Sequence, residues 1–108
     1  MKIWIDDCRP APEGYVWIKS VNEAIRVIDR YADYLDPDMC SINLIEIIDM
    51  DHDAGDYYCY GGDYIKVLEH MELAHSNTSF HIRIHSMNPV GVENMRAIIK
   101  RNRWREIK

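Results

Sequence analysis

The sequence lacks the long hydrophobic segments that mark membrane and secreted proteins. No apolar run approaches the ~20 residues that a membrane-spanning helix requires. The N-terminus also lacks a basic segment followed by an apolar stretch, which is the pattern of a secretory signal. We therefore expect a cytoplasmic protein that does not contact a membrane.

Cysteine is scarce, and its spacing forms no known motif. The chain has three cysteines, an odd number, and no C-x-x-C pair, which argues against a disulfide framework and against a zinc knuckle. Internal repeats and low-complexity segments are also absent. Because 108 residues leave room for one domain with a modest core, we predict a single domain over residues 1–108. The sequence does not indicate an oligomeric state.

Charge is unevenly distributed along the chain. The net charge is −5, yet acidic residues crowd between Asp49 and Asp63 while Arg and Lys dominate from Arg96 to Lys108. A basic stretch can contact nucleic acid, but cations also complement the C-terminal end of a helix. Because the domain as a whole is acidic, we favour the helix explanation over nucleic-acid binding. The acidic cluster itself requires a counter-charge.

Apolar periodicity and capping signals predict alternating strands and helices. Ser20 and Glu23 form a capping box, after which apolar residues recur at helical spacing. Asp63 is the expected N-cap of the next helix, and Asn88 followed by Pro89 starts the last one. The predicted elements are strands at 2–5 and 15–18, a helix at about 21–34, a strand at about 41–48, a helix at about 64–75, an edge strand at 79–86 and a C-terminal helix.

This alternation predicts an α/β fold of about four mostly parallel strands and three helices, joined by right-handed crossovers. A parallel sheet brings the C-terminal ends of its strands to one edge. Three clusters that are distant in sequence should therefore meet there, at residues 6–9, 51–53 and 85–88. Such an edge is where open α/β sheets bind ligands.

The central acidic motif, Asp49 to Gly55, follows the most continuous apolar run of the chain. Its D-x-D-x-D pattern also opens an EF-hand loop, but that loop requires Gly at its sixth position and Glu at its twelfth. Those positions are Ala54 and Tyr60. An EF-hand is therefore excluded, and the motif is expected in a strand-end loop.

The three clusters resemble the acidic site of response-regulator receiver domains and, more closely, that of the cyclic-phosphate processing receiver-like domains. The pattern of that group runs approximately D-D-x-R-x-P, S-L-D-H-D-L-G and H-S-x-N-P-x-G, with a Met a few residues later. The chain departs from it in having Asp49 for serine and Met50 and Ala54 for leucines. The resemblance implies a small flavodoxin-like three-layer sandwich and the processing of cyclic phosphates. The matching segments are Asp6-Asp7-Cys8-Arg9-Pro10, Asp49 to Gly55 and His85-Ser86-Met87-Asn88-Pro89-Val90-Gly91, followed by Met95.

Several of these residues are candidates for metal binding and catalysis. His52 and His85 come from different strands and could act as general base and general acid, or as metal ligands, with Asp51 as the third catalytic candidate. Four acids offer the oxygen ligands that suit Mg²⁺ or Mn²⁺, and a cation would allow an anionic substrate to approach them. The alternative is that some of these acids cap turns or helices. The candidate metal ligands are Asp6, Asp7, Asp51 and Asp53.

Other polar residues are candidates for phosphate binding. Arg9 offers a bidentate fork, and Ser86 and Asn88 offer donors beside a helix N-terminus. The alternative for Arg9 is a salt bridge to Asp6 or Asp53, and Asn88 is expected to be an N-cap in either case. The remaining histidines do not lie beside the acids at the strand ends and are expected to be surface or packing residues. These are His70, His75 and His81.

Two functions follow from these interpretations. The first is a metal-assisted phosphoesterase that acts on a cyclic phosphate of a small nucleotide or ADP-ribose-like substrate. The second is a receiver-like module that holds a metal or phosphate without catalysis. Ordinary phosphoacceptor signalling is disfavoured, because no fifth strand with the Lys-Pro ending of receivers is visible in the sequence.

Overall fold

The computed structural model describes residues 1–108, and its first helix begins where the capping box predicts. Ser20 Oγ accepts a hydrogen bond from the Glu23 backbone N–H at 3.2 Å. None of the helices has the length and apolar character needed to span a bilayer. The elements are β1 (Lys2–Ile5), β2 (Tyr15–Ile18), α1 (Val21–Tyr31), β3 (Tyr34–Leu35), β4 (Ser41–Ile42), β5 (Ile47–Met50), a 3-10 helix (Gly55–Tyr60), α2 (Ile65–Ala74), β6 (His81–Ile84), α3 (Pro89–Arg101) and β7 (Arg105–Glu106).

Five strands form one parallel sheet in the order β2-β1-β5-β6-β7. The predicted α/β, receiver-like fold is confirmed. The three expected helices are present, and the parallel sheet has five strands where about four were expected. The fifth strand, β7, was missed because two residues carry no periodicity. The residues that follow it in this sequence are Ile107 and Lys108.

The segment predicted as one strand over 41–48 is divided in the structure. Its first part, β4, pairs antiparallel with β3 in a separate hairpin, and the sheet strand β5 begins only at Ile47. Asn43 interrupts the run, because its Oδ1 accepts a hydrogen bond from the Ile45 N–H at 2.9 Å and so forms a local turn. The hairpin also explains why α1 ends at Tyr31 and not near Tyr34.

Two further predictions were wrong, namely the N-cap of α2 and the position of β6 in the sheet. Asp63 does not cap α2, because its Oδ1 accepts a hydrogen bond from the Ala54 N–H at 3.0 Å, and α2 starts after Tyr64 without a side-chain cap. The strand β6 is not at the edge, since it lies between β5 and β7. Its neighbour β7 is short and pairs only with His81 and Ile82.

The two faces of the sheet differ: one is apolar, and the other carries polar side chains. Trp4, Asp49 and Arg83 are neighbours in register on β1, β5 and β6, so their side chains share one face of the sheet. The apolar face packs against a row of helices in which α1 contacts α2 and α2 contacts α3. The core residues that β1, β5 and β6 contribute are Ile3, Ile5, Ile48, Met50 and Ile82.

Candidate functional site

The turn that follows β1 is stabilised by hydrogen bonds to the Asp6 side chain and to two backbone carbonyl groups. Asp6 is buried, and its Oδ1 accepts hydrogen bonds from the backbone N–H groups of Cys8 and Arg9, both at 2.8 Å. Trp17 Nε1 donates to the Asp6 carbonyl and Trp4 Nε1 donates to the Arg9 carbonyl, each at 2.8 Å. An aspartate that bonds the next backbone N–H groups forms a local Asx turn. Asp6 is therefore fixed at the end of β1 by its own neighbours.

His85, just after β6, lies between two buried carboxylates. Its Nδ1 is 2.6 Å from Asp49 Oδ1, and its Nε2 is 2.9 Å from Asp6 Oδ2. The ring stacks on Trp4 with centroids 3.9 Å apart and planes 7° from parallel. Because ionised carboxylates only accept hydrogen bonds, the doubly protonated ring is the form that satisfies both acids at once. The ends of β1, β5 and β6 thus meet at one imidazole.

Two arginines extend this arrangement into a continuous chain of charged groups. Arg83 Nη1 donates to Asp49 Oδ2 at 3.0 Å. Arg9 Nε donates to Asp6 Oδ2 at 3.0 Å, and its Nη2 donates to Asp51 Oδ2 at 3.1 Å. With a doubly protonated imidazole, three cations face three carboxylates. The chain runs through Arg83, Asp49, His85, Asp6, Arg9 and Asp51.

The surroundings of Asp6 favour its ionised form. Burial opposes ionisation, but hydrogen bonds from the backbone N–H groups of Cys8 and Arg9 and from the His85 ring outweigh it, together with the charge of Arg9. The pKa of Asp6 therefore lies below its ordinary value. A carboxylate held ionised in this way can serve as a permanent negative charge at the sheet edge.

The next residue, Asp7, lies among other acids. Burial raises the pKa of Asp7, and the charges of Asp6, Asp51 and Asp56 raise it further. Gly55 allows this crowding, since it has a φ of +55° and a Cβ on it would come within 2.2 Å of Asp7 Oδ2. The repulsion among these acids is of the kind that a bound cation relieves.

His52 lies beside the start of α3. Its Nδ1 is 2.8 Å from Asp53 Oδ1, and Asn88 Nδ2 donates to the same oxygen at 3.4 Å. A Cβ on Gly91 would lie 2.5 Å from Cγ and Cδ2 of the His52 ring, so glycine is what leaves room for the imidazole. The contact with Asp53 leaves Nε2 as the ring nitrogen without a protein partner.

Ser86 and Asn88 bond the backbone at the start of α3. Ser86 Oγ accepts a hydrogen bond from the Asn88 N–H at 3.1 Å, and Asn88 Oδ1 accepts one from the Gly91 N–H at 3.0 Å. The predicted N-cap role of Asn88 is confirmed. The phosphate contacts predicted for Ser86, Asn88 and Arg9 stay predictions.

The structure divides the four predicted metal ligands. One atom each of Asp6, Asp51 and His85 lie within 4.8 Å of one another, a spacing that could hold a metal ion. Asp53 belongs to a second such group, formed with His52 and Asp63. Asp7 is in neither group, but it adjoins the first through the repulsion that it shares with Asp6 and Asp51.

Trp4 and Arg83 belong to the site but were not predicted as site residues. Trp4 supplies the surface on which His85 stacks, and Arg83 pairs with Asp49. In the sequence, Trp4 appears only as one apolar residue of β1, and Arg83 as one polar residue of an alternating strand. Their roles depend on the register of β1, β5 and β6, which a single sequence does not specify.

A second cluster of ionisable residues was also missed. His70 and His75 were expected to be surface or packing residues, yet the Nε2 atoms of both lie 2.7 Å from Asp29 Oδ1. His75 is buried, and its Nδ1 is 2.5 Å from Asp33 Oδ2. Burial opposes protonation of His75, but the two carboxylates outweigh it and raise the pKa of this imidazole. The partners are 41 to 46 residues apart in sequence, so no local pattern reveals them.

This second cluster lies at the edge of the sheet opposite to the strand-end site, because α1 and α2 run back from the C-terminal to the N-terminal edge. A cleft of about 560 Å³ opens at the same edge, with polar groups of Asp33, Ser41, Asn43 and residues 75–79 in its wall. The cleft and the acidic strand ends are therefore separate features of the molecule.

The sheet and its strand ends define a receiver-like α/β domain, in which paired acids follow the first strand and a further acid follows the central strand. Residues 1–101 match the family described as the cyclic-phosphate processing receiver domain, and the chain belongs to that family. The family's description ties the domain to cyclic-phosphate processing, and the resemblance drawn from the motifs is confirmed. No curated protein and no solved structure matches the chain.

Proposed function

We propose that this chain is a metal-assisted phosphoesterase that hydrolyses a cyclic phosphate of a nucleotide or of an ADP-ribose-like compound. The observation that carries the proposal is the bridge made by Arg9, which donates to Asp6 at 3.0 Å and to Asp51 at 3.1 Å. A guanidinium suited to phosphate oxygens thus stands directly beside two carboxylates at the strand ends. About half of the Arg9 side chain is exposed (48%), so a phosphate can approach it from solvent.

The acids at this edge fit a divalent cation. Asp6, Asp7 and Asp51 offer only oxygen ligands, which Mg²⁺ and Mn²⁺ prefer. Burial and the negative charges of Asp6, Asp51 and Asp56 raise the pKa of Asp7. When bound, such a cation would neutralise the charge of the phosphate and polarise it toward attack.

In this proposal His52 is the proton acceptor. Because Asp53 takes the hydrogen bond from Nδ1–H, the lone pair of the neutral ring lies on Nε2. The ring accepts a proton from water while the water oxygen bonds to phosphorus. One ester P–O bond of the cyclic phosphate then breaks, and the departing ester oxygen takes the proton from His52 Nε2.

We propose a positioning role for His85. The hypothesis drawn from the sequence makes it the general acid opposite His52, but both of its nitrogens are bonded to buried carboxylates. Proton transfer to a substrate would require one of these bonds to break. In the intact arrangement the ring orients Asp6 and Asp49 and holds the ends of β1, β5 and β6 together.

One observation favours the non-catalytic alternative, a module that holds a metal or phosphate. The six groups from Arg83 to Asp51 already form a complete set of ion pairs, with three cations and three carboxylates when His85 is doubly protonated. These ion pairs can stabilise the fold whether or not the protein catalyses a reaction. Turnover is therefore the property that separates the two functions.

The test is incubation of the pure protein with Mg²⁺ or Mn²⁺ and a panel of 2′,3′-cyclic nucleotides and ADP-ribose cyclic phosphate, followed by mass spectrometry. We expect at least one compound to gain the mass of one water. A compound that binds but stays intact would support the module instead. Binding of none of them would contradict the phosphoesterase.

Matched histidine variants make the test specific. His52→Gln should lower turnover by about 10²- to 10⁴-fold, the usual contribution of positioned proton transfer. His81→Gln is the control, since His81 is an exposed histidine on β6 outside the site. Equal turnover in wild type and a folded His52→Gln variant would remove His52 from the mechanism.

A further inference from the structure

A cluster of two histidines and an aspartate lies where the C-terminal ends of α1 and α2 meet. We infer that Asp29, His70 and His75 bind a divalent transition-metal ion of the Zn²⁺ type, independently of the acidic strand ends. Asp29 lies in the last turns of α1, His70 lies within α2, and His75 is the C-cap of α2. This inference does not depend on the proposed phosphoesterase activity.

The donor atoms of the three residues converge on one point. The Nε2 atoms of His70 and His75 each lie 2.7 Å from the same oxygen, Asp29 Oδ1. His75 leaves the helical path, with a φ of −133° and a ψ of 35°, and its ring comes to within 5.9 Å of the His70 ring between centroids. The three ligand atoms lie within 4.8 Å of one another, a spacing that can hold one metal ion.

The buried ligand is oriented in the way that metal-binding histidines usually are. His75 Nδ1 is bonded to Asp33 Oδ2, and Thr78 Oγ1 donates to the other oxygen of Asp33 at 2.6 Å. A carboxylate on the far nitrogen fixes the tautomer and directs Nε2 toward the metal. Asp33 and Thr78 thus supply the outer partners that a histidine ligand normally has.

The chemistry of the three donors favours zinc over magnesium or calcium. Imidazole nitrogen suits Zn²⁺ and similar ions, whereas Mg²⁺ and Ca²⁺ take oxygen ligands. Three protein ligands leave a fourth tetrahedral position for water or another ligand. Both helices also end here, and the negative end of a helix dipole favours a cation.

A small shift of exposed side chains accommodates the ion. Ligand atoms of a tetrahedral zinc site at 2.0–2.1 Å from the metal are roughly 3.3 Å apart, compared with 2.7 Å between each imidazole nitrogen and Asp29 here. The Asp29 side chain is 46% exposed and that of His70 is 25% exposed, so both can move outward while His75 stays in place.

The experiment measures zinc bound per chain after desalting, and zinc affinity by competition with a chromogenic chelator, in excess Mg²⁺. We compare His70→Gln with His52→Gln, because each removes one histidine from a different cluster that could hold a metal. Wild type and His52→Gln should bind one zinc ion, and His70→Gln should lose it. Asp33→Asn should weaken binding by about 10- to 100-fold, the usual effect of losing an outer partner.

Several outcomes would overturn the inference. They are no zinc binding by wild type, unchanged affinity in His70→Gln, or loss of zinc in His52→Gln alone. Asp51→Asn provides the matched test of the acidic strand ends, and its zinc binding should equal that of wild type. Thermal unfolding adds a readout of fold integrity, since zinc should raise the melting temperature of wild type and leave that of His70→Gln unchanged.

Discussion

Replacing His85 with phenylalanine tests how strongly the imidazole holds the strand ends together. The phenyl ring retains the stack on Trp4 but donates no hydrogen bond, so Asp6 and Asp49 each lose a partner while remaining buried. Asp6 keeps three donors from Cys8 and Arg9. Asp49 keeps only Arg83 Nη1, at 3.0 Å. Most of the destabilisation should therefore come from Asp49.

Breaking a buried pair by removing one partner costs about 3–5 kcal/mol, because a buried charge is left uncompensated. We expect the free energy of unfolding of His85→Phe, measured by urea denaturation at pH 7, to fall by this amount. This is a large part of the ~5–15 kcal/mol that stabilises a typical domain. Adding Asp49→Asn should recover part of the loss, with a coupling of about 0.5–3 kcal/mol. His81→Phe is the matched control on the same strand and should change stability by less than about 0.5 kcal/mol.

A His85→Phe protein within about 0.5 kcal/mol of wild type would refute this reasoning. It would mean that water or a rearranged arginine replaces the imidazole without measurable cost. An additive double variant would equally show that Asp49 and His85 do not depend on each other.

Two further predictions concern α3. Gly91→Ala places a Cβ 2.5 Å from the His52 ring, so it should displace the proposed base and lower hydrolysis by about 10²- to 10⁴-fold, while circular dichroism shows α3 intact. Hydrogen bonds from Arg101 and Asn102 lower the pKa of Glu72 to about 2 from 4.5. Their stabilising effect is present above pH 4.5 and is lost as the pH falls toward 2. Urea denaturation should therefore show Glu72→Gln less stable than wild type at pH 6, with a smaller difference at pH 3; an unchanged difference would contradict the shift.

The fold was predictable where local signals agree with the tertiary structure. Ser20 with Glu23 marked the start of α1, and Asn88 with Pro89 marked the start of α3. The predictions failed where pairing between short segments decides the structure. The β3–β4 hairpin shortens α1, and β7 has only two residues, so neither leaves a periodic pattern in the sequence.

The meeting of the three clusters was predictable, because parallel strands present their C-terminal ends at one edge. The way in which they are linked was not. Trp4 reaches His85 and Arg83 reaches Asp49 only because β1, β5 and β6 have one particular register. The cluster of Asp29, His70 and His75 was harder still to predict, since Asp29 and His75 come together only when α1 packs against α2.

The most direct measurement of the proposed function is a ³¹P NMR time course with a 2′,3′-cyclic nucleotide or ADP-ribose cyclic phosphate and Mg²⁺. We predict that wild type converts the cyclic-ester signal into a monoester signal. The conversion should stop on addition of a chelator and should be lost in Asp51→Asn. A cyclic-ester signal that persists with wild type and Mg²⁺ across these substrates would contradict the phosphoesterase, and conversion that is indifferent to the chelator and to Asp51 would contradict the role of the metal.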